Sequence, residues 1–276
     1  MIIDTHQHFW HYNPEEFDWI TDEMHRIQKN FLPEDLKATL KDTDVEGVVT
    51  VQARQSLEET DWLLQLASDH PFIKGIVGWV PLQDERISEI VDRYYNNHPL
   101  LKGVRHIIQG EPDPQFILNK DFNYGISQLK KYGLIYEILV LEHQLPNTIR
   151  FVDQHPHQTF VLDHIAKPKI RANEINEWGK NIKELARREN VSCKISGMVT
   201  EADFTNWTEE QLKPYFDVVL EAFGPSRLLF GSDWPVCLVA TTYPDWLSLV
   251  MKWINKLTKS EQEQILGRNA LALYHL

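Results

Sequence analysis

Eight short apolar segments rich in valine and isoleucine recur along this chain, and each is followed by a segment whose apolar residues have helical spacing. They span residues 2–8, 47–53, 73–80, 103–109, 134–141, 159–164, 191–196 and 228–233. Strands that are apolar on both faces are typical of a parallel sheet covered by helices. The alternation therefore predicts eight β-α units around a parallel sheet.

Eight such units can close into a (β/α)8 TIM barrel or lie side by side in an open, doubly wound sheet. An open sheet that binds nucleotides carries a glycine-rich phosphate-binding turn after a strand, and no such turn follows any of the eight segments. No proline-rich or glycine-rich linker divides the chain. We therefore expect one α/β domain over residues 1–276, folded as a closed barrel.

Several residue pairs indicate where the helices begin and end. Capping-box spacing occurs at Ser56 with Glu59, Thr208 with Gln211, and Ser260 with Glu263. Gly133 and Gly224 stand where helices should end.

The charge balance limits the partners of this chain. It has 28 lysine and arginine residues against 40 aspartate and glutamate residues, a formal net charge of -12. Nucleic acids and anionic membranes require a basic surface, so we expect neither as a partner. A small molecule is the expected ligand, and the oligomeric state has no signal in the sequence.

The two cysteines and the N-terminal residues indicate in which cellular compartment the protein is expected. Cys193 and Cys237 are far apart and lack metal-ligand spacing, which indicates neither a disulfide framework nor a cysteine zinc site. No stretch approaches the roughly 18 apolar residues that span a bilayer. The N-terminus has no basic region followed by an apolar one. We expect an unprocessed cytoplasmic protein.

The first strand carries the residues with the clearest chemistry, Asp4, His6 and His8. Residues two apart in a strand point the same way, so we expect these three side chains on one face. The histidines fall at the carboxyl end of the strand, where a barrel presents its catalytic groups. Two neutral imidazoles can bind one divalent cation. They can equally fill the barrel mouth and hydrogen-bond each other or Asp4.

The eighth strand ends in Gly-Ser-Asp, with Asp233 at its carboxyl end. In a closed barrel this strand lies beside the first, so Asp233 should meet His6 and His8. A carboxylate that faces two imidazoles can complete a metal site, take a proton from an attacking water, or do both. The alternative is a turn or helix N-cap residue.

Three other strand ends add polar candidates for the pocket. His164 follows a buried strand and is a candidate to orient a substrate carbonyl. Arg105, His106 and Lys194 would bring basic groups to the mouth, where they suit a carboxylate, a polarised carbonyl or a polyhydroxylated substrate. Ordinary ion pairing explains Arg105 and Lys194 almost as well.

Aromatic and amide side chains complete the predicted pocket. Gln52, Trp79 and Trp234 are candidate lining residues, although core packing explains the tryptophans equally well. Trp10 is a further candidate to bind the substrate, and it belongs to an aromatic-rich segment, residues 9–30, in the longest predicted connection. Long β-to-α loops lie on the catalytic face of a barrel, so this segment is expected either to cover the pocket or to dock on the surface.

Five segments, taken together, make this chain similar to a known family. They are residues 3–10, 103–105, 162–168, 194–197 and 230–235. The sequence resembles the amidohydrolase-related (amidohydrolase 2) family of the amidohydrolase superfamily, and within it the sugar lactonases of the L-fuconolactonase and L-rhamnonolactonase type. The segments run from the first strand to the last, so the resemblance covers essentially the whole chain.

The resemblance implies a distorted TIM barrel and a hydrolase of carbohydrate metabolism that opens the carboxylic ester ring of a lactone. It implies that Asp233 is the general base toward water, with His6, His8 and His164 around the substrate carbonyl. The mechanism we then predict is attack of hydroxide on the lactone carbonyl, with these histidines, Arg105 or a metal stabilising the oxyanion.

The metal content is the point at which this chain departs from the superfamily. Better-known members hold two metals bridged by a carboxylated lysine at the end of strand four, where this chain has Arg105 and His106. We therefore expect no two-metal site. One divalent ion, zinc or manganese, on His6, His8 and Asp233 is compatible with the sequence, and so is metal-independent hydrolysis.

Two further functions compete with lactone hydrolysis. One is a metal-dependent decarboxylase on the same barrel, which would release carbon dioxide from an aromatic or dicarboxylic acid. The other is a small-molecule-binding barrel without catalysis. The sequence of the loops does not identify the substrate.

Overall fold

The computed structural model describes residues 1–276, and its centre is a parallel sheet of eight strands in the order β1 to β8. The strands are β1 (Ile2–Gln7), β2 (Val45–Val51), β3 (Ile73–Gly78), β4 (Leu101–Ile107), β5 (Ile135–Leu139), β6 (Phe160–Leu162), β7 (Val191–Ile195) and β8 (Leu228–Phe230). Each of the eight predicted segments contains one strand or most of one. The predicted (β/α)8 barrel is confirmed.

The barrel closes between its first and last strands through a few contacts rather than a full ladder. The hydroxyl of Thr5 donates to the carbonyl of Phe230 at 2.7 Å. Toward the carboxyl ends of the two strands, the His8 amide donates to the Trp234 carbonyl at 2.8 Å, and the Asp233 amide donates to the His6 carbonyl at 2.8 Å. These bonds place the carboxyl ends of β1 and β8 side by side, as the sequence predicted.

Helices separate the strands and cover the outside of the barrel. They are α1 (Pro33–Leu40), α2 (Leu57–Asp69), α3 (Ile87–Asn97), α4 (Lys120–Leu129), α5 (Leu145–Gln154), α6 (Asn176–Leu185), α7 (Glu209–Phe223), α8 (Tyr243–Ile254), α9 (Lys259–Glu263) and α10 (Asn269–Tyr274). None of them is both long and apolar enough to cross a bilayer.

Most of the predicted helix ends are confirmed. Ser56 and Thr208 are the N-caps of α2 and α7, and Gly224 ends α7. Gly133 ends the turn that follows α4. The prediction of a cap at Ser260 was wrong, because Thr258 and Glu261 form a reciprocal capping box that starts α9 two residues earlier.

The amino-terminal half of the barrel interior is filled mainly by branched aliphatic side chains, as is typical of this fold. This interior cluster consists of Ile3, Val49, Val51, Val77, Ile135, Val161, Leu229, Ala270 and Tyr274. Ala270 and Tyr274 come from α10, which therefore closes the amino-terminal end of the barrel. The carboxyl-terminal end is left for polar side chains.

The aromatic segment 9–30 is held on the barrel at several points. Trp10 is fully buried and its indole donates to the Lys29 carbonyl at 2.8 Å. Phe17 is buried in the main core, and Arg54 after β2 pairs with Glu16. Core packing therefore fixes the base of this segment.

Candidate active site

Four predicted catalytic residues, His6, His8, His164 and Asp233, converge at the carboxyl end of the barrel. The Nε2 atoms of His6 and His8 are 3.2 Å apart. The Asp233 Oδ1 atom lies 3.5 Å from Nε2 of His8 and 3.9 Å from Nε2 of both His6 and His164. The structure thus brings one carboxylate to within 3.9 Å of three imidazoles.

All three imidazoles are held in the neutral form by burial. Burial lowers the pKa of His6 well below its ordinary value, and the nearby ammonium of Lys194 lowers it further. Burial and the neighbouring His6 likewise lower the pKa of His164. Burial lowers the pKa of His8 despite the opposing effect of Asp233. Neutral imidazoles leave lone pairs available for a metal or a substrate proton.

Unusual backbone conformations present His164 and Asp233 to the site. Residues 164–167 form a left-handed turn with φ between 45° and 61°, and Asp233 has φ 58°. A β-branched residue such as Ile165 is strained in this region. The turn is held by Trp178, whose indole donates to the Ile165 carbonyl at 2.7 Å, and by Ser196, whose Oγ is 2.9 Å from Nδ1 of His164. Packing therefore fixes a geometry that local preference disfavours.

The prediction that Asp4 shares a face with the two histidines was wrong. The pairing of β1 with β2 is irregular between Asp4 and Gln7, which interrupts the two-residue alternation. Asp4 instead accepts hydrogen bonds from the amides of His6 and Ser232 at 3.0 and 2.9 Å, and from the Tyr243 hydroxyl at 3.1 Å. Its role is to tie the ends of β1 and β8 together.

A buried network of charges lies beneath the imidazoles. Lys194 Nζ is 2.5 Å from Glu137, 3.2 Å from Asp163 and 3.1 Å from Nδ1 of His6. Arg105 Nη1 is 3.0 Å from Asp163 and 3.3 Å from Nε2 of His6. Burial alone would raise the pKa of Asp163, but the charges of Lys194 and Arg105 outweigh it and lower that pKa. The positive charges of Lys194 and Arg105 are therefore paired with the carboxylates of Glu137 and Asp163 around His6.

A cavity of about 420 Å³ opens at this end of the barrel. It is lined by His8, Asp18, Trp19, Ala53, Gln55, Arg105, Ile107, Gln109, Gly110, Glu111, Leu139, His164, Lys167, Asp233 and Val236. Among the predicted substrate-binding residues, Arg105 lines it. His6 lies directly below, within the cluster of imidazoles.

The other predicted lining residues occupy different positions. Lys194 is fully buried in the charge network, and Gln52 is buried against Arg105, from which it accepts a hydrogen bond at 3.2 Å. Trp10 and Trp234 pack against Phe31, with ring centroids 5.7 and 5.1 Å away. These four side chains point into the protein rather than the cavity, because apolar packing and ion pairing hold them there.

His106 and Trp79 contact each other behind the cavity wall. The indole of Trp79 is 3.3 Å from Nδ1 of His106, and Nε2 of His106 is 2.6 Å from Glu111. Glu111, and not these two residues, reaches the cavity. Sequence reasoning missed Glu111, although it follows β4 by only four residues, and it also missed Asp18. Trp19 was considered only as one aromatic residue of the segment 9–30.

The donor atoms of His6, His8 and Asp233 fit a single divalent ion. They all lie within 4.8 Å of one another. Ligands of a tetrahedral zinc ion are about 3.3 Å apart, given zinc-ligand distances near 2.0 Å. Nδ1 of His8 is 2.7 Å from the Val51 carbonyl, which directs its proton there and leaves Nε2 as a ligand. Two imidazoles and one carboxylate are a common donor set for zinc.

Comparison with known proteins establishes the family of this chain. The profile of the amidohydrolase family matches residues 3–276. The chain belongs to the amidohydrolase family. Its relatives within that family include an L-fucono-1,5-lactonase from Burkholderia multivorans, 36% identical over 99% of this chain and 96% of that protein. Another L-fucono-1,5-lactonase, from Burkholderia ambifaria, is 31% identical over 99% of this chain and 95% of that protein.

A solved amidohydrolase has nearly the same structure. A crystal structure of an amidohydrolase from Burkholderia multivorans with bound zinc has a TM-score of 0.96 and 36% identity, covering 100% of this chain and 99% of that one. The match extends over the whole barrel of this amidohydrolase. The fold and the family predicted from the sequence are therefore both confirmed.

Proposed function

We propose that this amidohydrolase opens the ester ring of a sugar lactone and that L-fucono-1,5-lactone is its substrate. The observation that carries the proposal is the placement of Asp233 at one wall of the cavity, facing three neutral imidazoles. Relatives that match along the full chain are L-fucono-1,5-lactonases, which supports the same class of reaction here.

Asp233 is the general base in this proposal. Its carboxylate lines the cavity, and its Oδ1 atom faces the neutral imidazoles, so Oδ1 would hold the metal and Oδ2 would accept a proton from water. The resulting hydroxide attacks the lactone carbonyl. Breaking the ring ester bond transfers the proton held by Asp233 to the leaving ring oxygen, which becomes a hydroxyl group, and the carboxylic acid that forms releases its own proton to solvent.

Arg105 supplies positive charge for the developing oxyanion. Its guanidinium lines the cavity and is held by Asp163 at 3.0 Å and by Gln52 Oε1 at 3.2 Å. A guanidinium stays charged at any physiological pH. Donors that are fixed before the reaction stabilise charge that develops in the transition state, so Arg105 and His164 suit this role.

We propose that one zinc ion binds His6, His8 and Asp233. The donor geometry and the zinc bound to a related structure support this assignment. The chemistry that such an ion supplies is polarisation of the lactone carbonyl. Metal-independent hydrolysis would use Arg105 and His164 alone, and removal of the metal with a strong chelator distinguishes the two cases.

We also propose that the segment 9–30 covers the cavity. Asp18 and Trp19 line it, and Trp19 packs edge-on against the buried Trp10 with ring centroids 5.9 Å apart. The Trp19 side chain is 38% exposed, a large fraction for tryptophan. An aromatic surface at a cavity mouth can pack against a sugar ring. A single domain over residues 1–276 with this cover is the organisation that we propose.

The protein is proposed to act in the reducing cytoplasm. Its two thiols, Cys193 and Cys237, are both buried and unpaired. Persistent free thiols are typical of reducing compartments.

The decarboxylase alternative is less well supported by the charges of the cavity. Three carboxylates, Asp18, Glu111 and Asp233, line it, against two cations, Arg105 and Lys167. A substrate that carries its own carboxylates would meet repulsion from the first three. A neutral lactone would not.

A screen of aldonolactones with a pH indicator tests the proposed function. We expect acid release from L-fucono-1,5-lactone, loss of activity after metal removal with a strong chelator, and recovery on adding zinc. Activity that survives complete metal removal would refute the metal assignment but not lactone hydrolysis. Carbon dioxide release from an aromatic acid, with no acid release from any lactone, would favour the decarboxylase.

A further inference from the structure

Glu111 occupies the cavity wall opposite the general base. It follows β4, and β4 and β8 lie on opposite sides of an eight-stranded barrel. Its side chain is 20% exposed and lines the cavity together with Asp233. A ligand whose carbonyl lies near Asp233 would therefore extend its remote atoms toward Glu111.

The proton positions around Glu111 follow from its neighbours. An indole N–H can only donate, so Trp79 donates to Nδ1 of His106 at 3.3 Å. Nδ1 must then be an acceptor, and a neutral imidazole carries its proton on the other nitrogen. Nε2 of His106 therefore donates to Oε1 of Glu111 at 2.6 Å, a short, charge-assisted hydrogen bond.

The His106 ring is held firmly in this orientation. It stacks on Phe116 with ring centroids 5.0 Å apart and an interplanar angle of 14°. The Phe122 ring packs edge-on at 5.6 Å. Burial lowers the pKa of His106, although Glu111 opposes this, so the neutral ring is favoured. Glu111 is thus supported by a rigid group whose own contacts lie outside the cavity.

The second oxygen of Glu111, Oε2, has no hydrogen-bond donor within the protein. An ionised carboxylate can only accept hydrogen bonds, so its ligand must supply a donor. The hydroxyl groups of a sugar lactone are donors, whereas the ester atoms of the ring are acceptors only.

We propose that Glu111 is a specificity-determining residue that accepts hydrogen bonds from hydroxyl groups on the substrate ring, with His106 and Trp79 as positioning residues. This inference rests on the proposed function and names the class of lactone that the site takes, a polyhydroxylated one. It replaces the earlier prediction that His106 and Trp79 themselves bind the substrate.

The test compares two six-membered lactones, one with the ring hydroxyl groups that Glu111 would recognise and one without them. L-fucono-1,5-lactone carries ring hydroxyl groups, whereas δ-valerolactone is a six-membered lactone without them. In Glu111→Gln the amide oxygen must accept from His106, so the amide N–H2 group faces the cavity and a donor replaces an acceptor. We expect kcat/KM for the sugar lactone to fall roughly 10-fold to 100-fold. That for δ-valerolactone should change by less than about twofold.

Trp79→Phe keeps an aromatic ring but removes the donor that fixes the tautomer of His106. We expect the same selective loss for the sugar lactone, smaller in size. Glu142→Gln is the matched control. Glu142 is buried to a similar degree and also has a histidine neighbour, His143, but Glu142 does not line the cavity. It should leave both substrates unaffected. Equal effects of Glu111→Gln on both substrates, or none, would overturn the proposal.

Binding of L-fucose, a hydroxylated ring without an ester, separates this inference from the proposed function. Isothermal titration should show that Glu111→Gln weakens the binding of L-fucose by the same roughly 10-fold to 100-fold factor expected for kcat/KM on the sugar lactone. Equal binding by both proteins, including none by either, would overturn the role of Glu111. Weakened binding in the variant, combined with a wild-type protein that hydrolyses no lactone, would refute the proposed function and support this inference.

Discussion

Substituting Gly197 by alanine tests whether the position of His164 matters for catalysis. Gly197 follows β7 and has φ +63°. An added Cβ would lie 2.5 Å from Nδ1 of His164, whereas ordinary contacts begin at 3.4 Å. The imidazole would have to move by about 0.9 Å to restore normal contact.

The expected cost has two parts. Alanine in the left-handed region costs about 1–2 kcal/mol. Displacing His164 also breaks its hydrogen bond to Ser196, worth about 0.5–1.5 kcal/mol. We therefore expect the free energy of unfolding to fall by about 1.5–3.5 kcal/mol. A shift of about 1 Å in a group that acts on the substrate can cost about 100-fold in rate, and we expect that loss in kcat/KM.

Gly133→Ala is the matched control. Gly133 has φ +66°, but nothing lies within 4 Å of the position of its Cβ. It carries the same backbone cost without disturbing the site. Urea unfolding and initial rates on L-fucono-1,5-lactone should show both variants destabilised and only Gly197→Ala impaired in catalysis. Equal activity of the two variants would refute the assigned role of His164.

Two other substitutions probe buried charges, each followed by urea unfolding. Lys194→Met leaves Glu137 and Asp163 without their shared cation, so we expect a loss of about 3–5 kcal/mol; a loss below about 1 kcal/mol would contradict this. Burial raises the pKa of Glu59 in the folded protein from 4.5 to about 7. As pH rises between these values, Glu59 loses its proton in the unfolded state first, so the free energy of unfolding falls. Glu59→Gln should remove up to about 3 kcal/mol of that fall between pH 4.5 and 7, and an unchanged pH dependence would exclude this origin.

The strands and the closure of the barrel could be predicted because they follow from apolar patterning. Parallel strands buried on both faces leave a signal in every segment, and closure then requires β1 and β8 to be neighbours. That single topological consequence brought Asp233 to His6 and His8. It needed no knowledge of side-chain conformations.

The orientation of individual side chains could not be predicted in the same way. Asp4 departs from the regular alternation because β1 is irregular, and no residue pattern signals that irregularity. Trp10 and Trp234 were candidates for the cavity wall as much as for the core, and both pack on Phe31, which only the tertiary structure places between them. Glu111 was missed because its significance depends on support from His106.

The hydrolysis of L-fucono-1,5-lactone by wild-type protein and by Asp233→Asn tests the central claim most directly. The two should be compared at equal zinc content and with matching circular dichroism spectra, so that neither metal loss nor misfolding explains a difference. We predict turnover by the wild type and a decrease in kcat of about 100-fold to 10,000-fold in the variant, the range that general-base catalysis contributes. Undiminished turnover by the folded variant would contradict the assignment of Asp233 as the base.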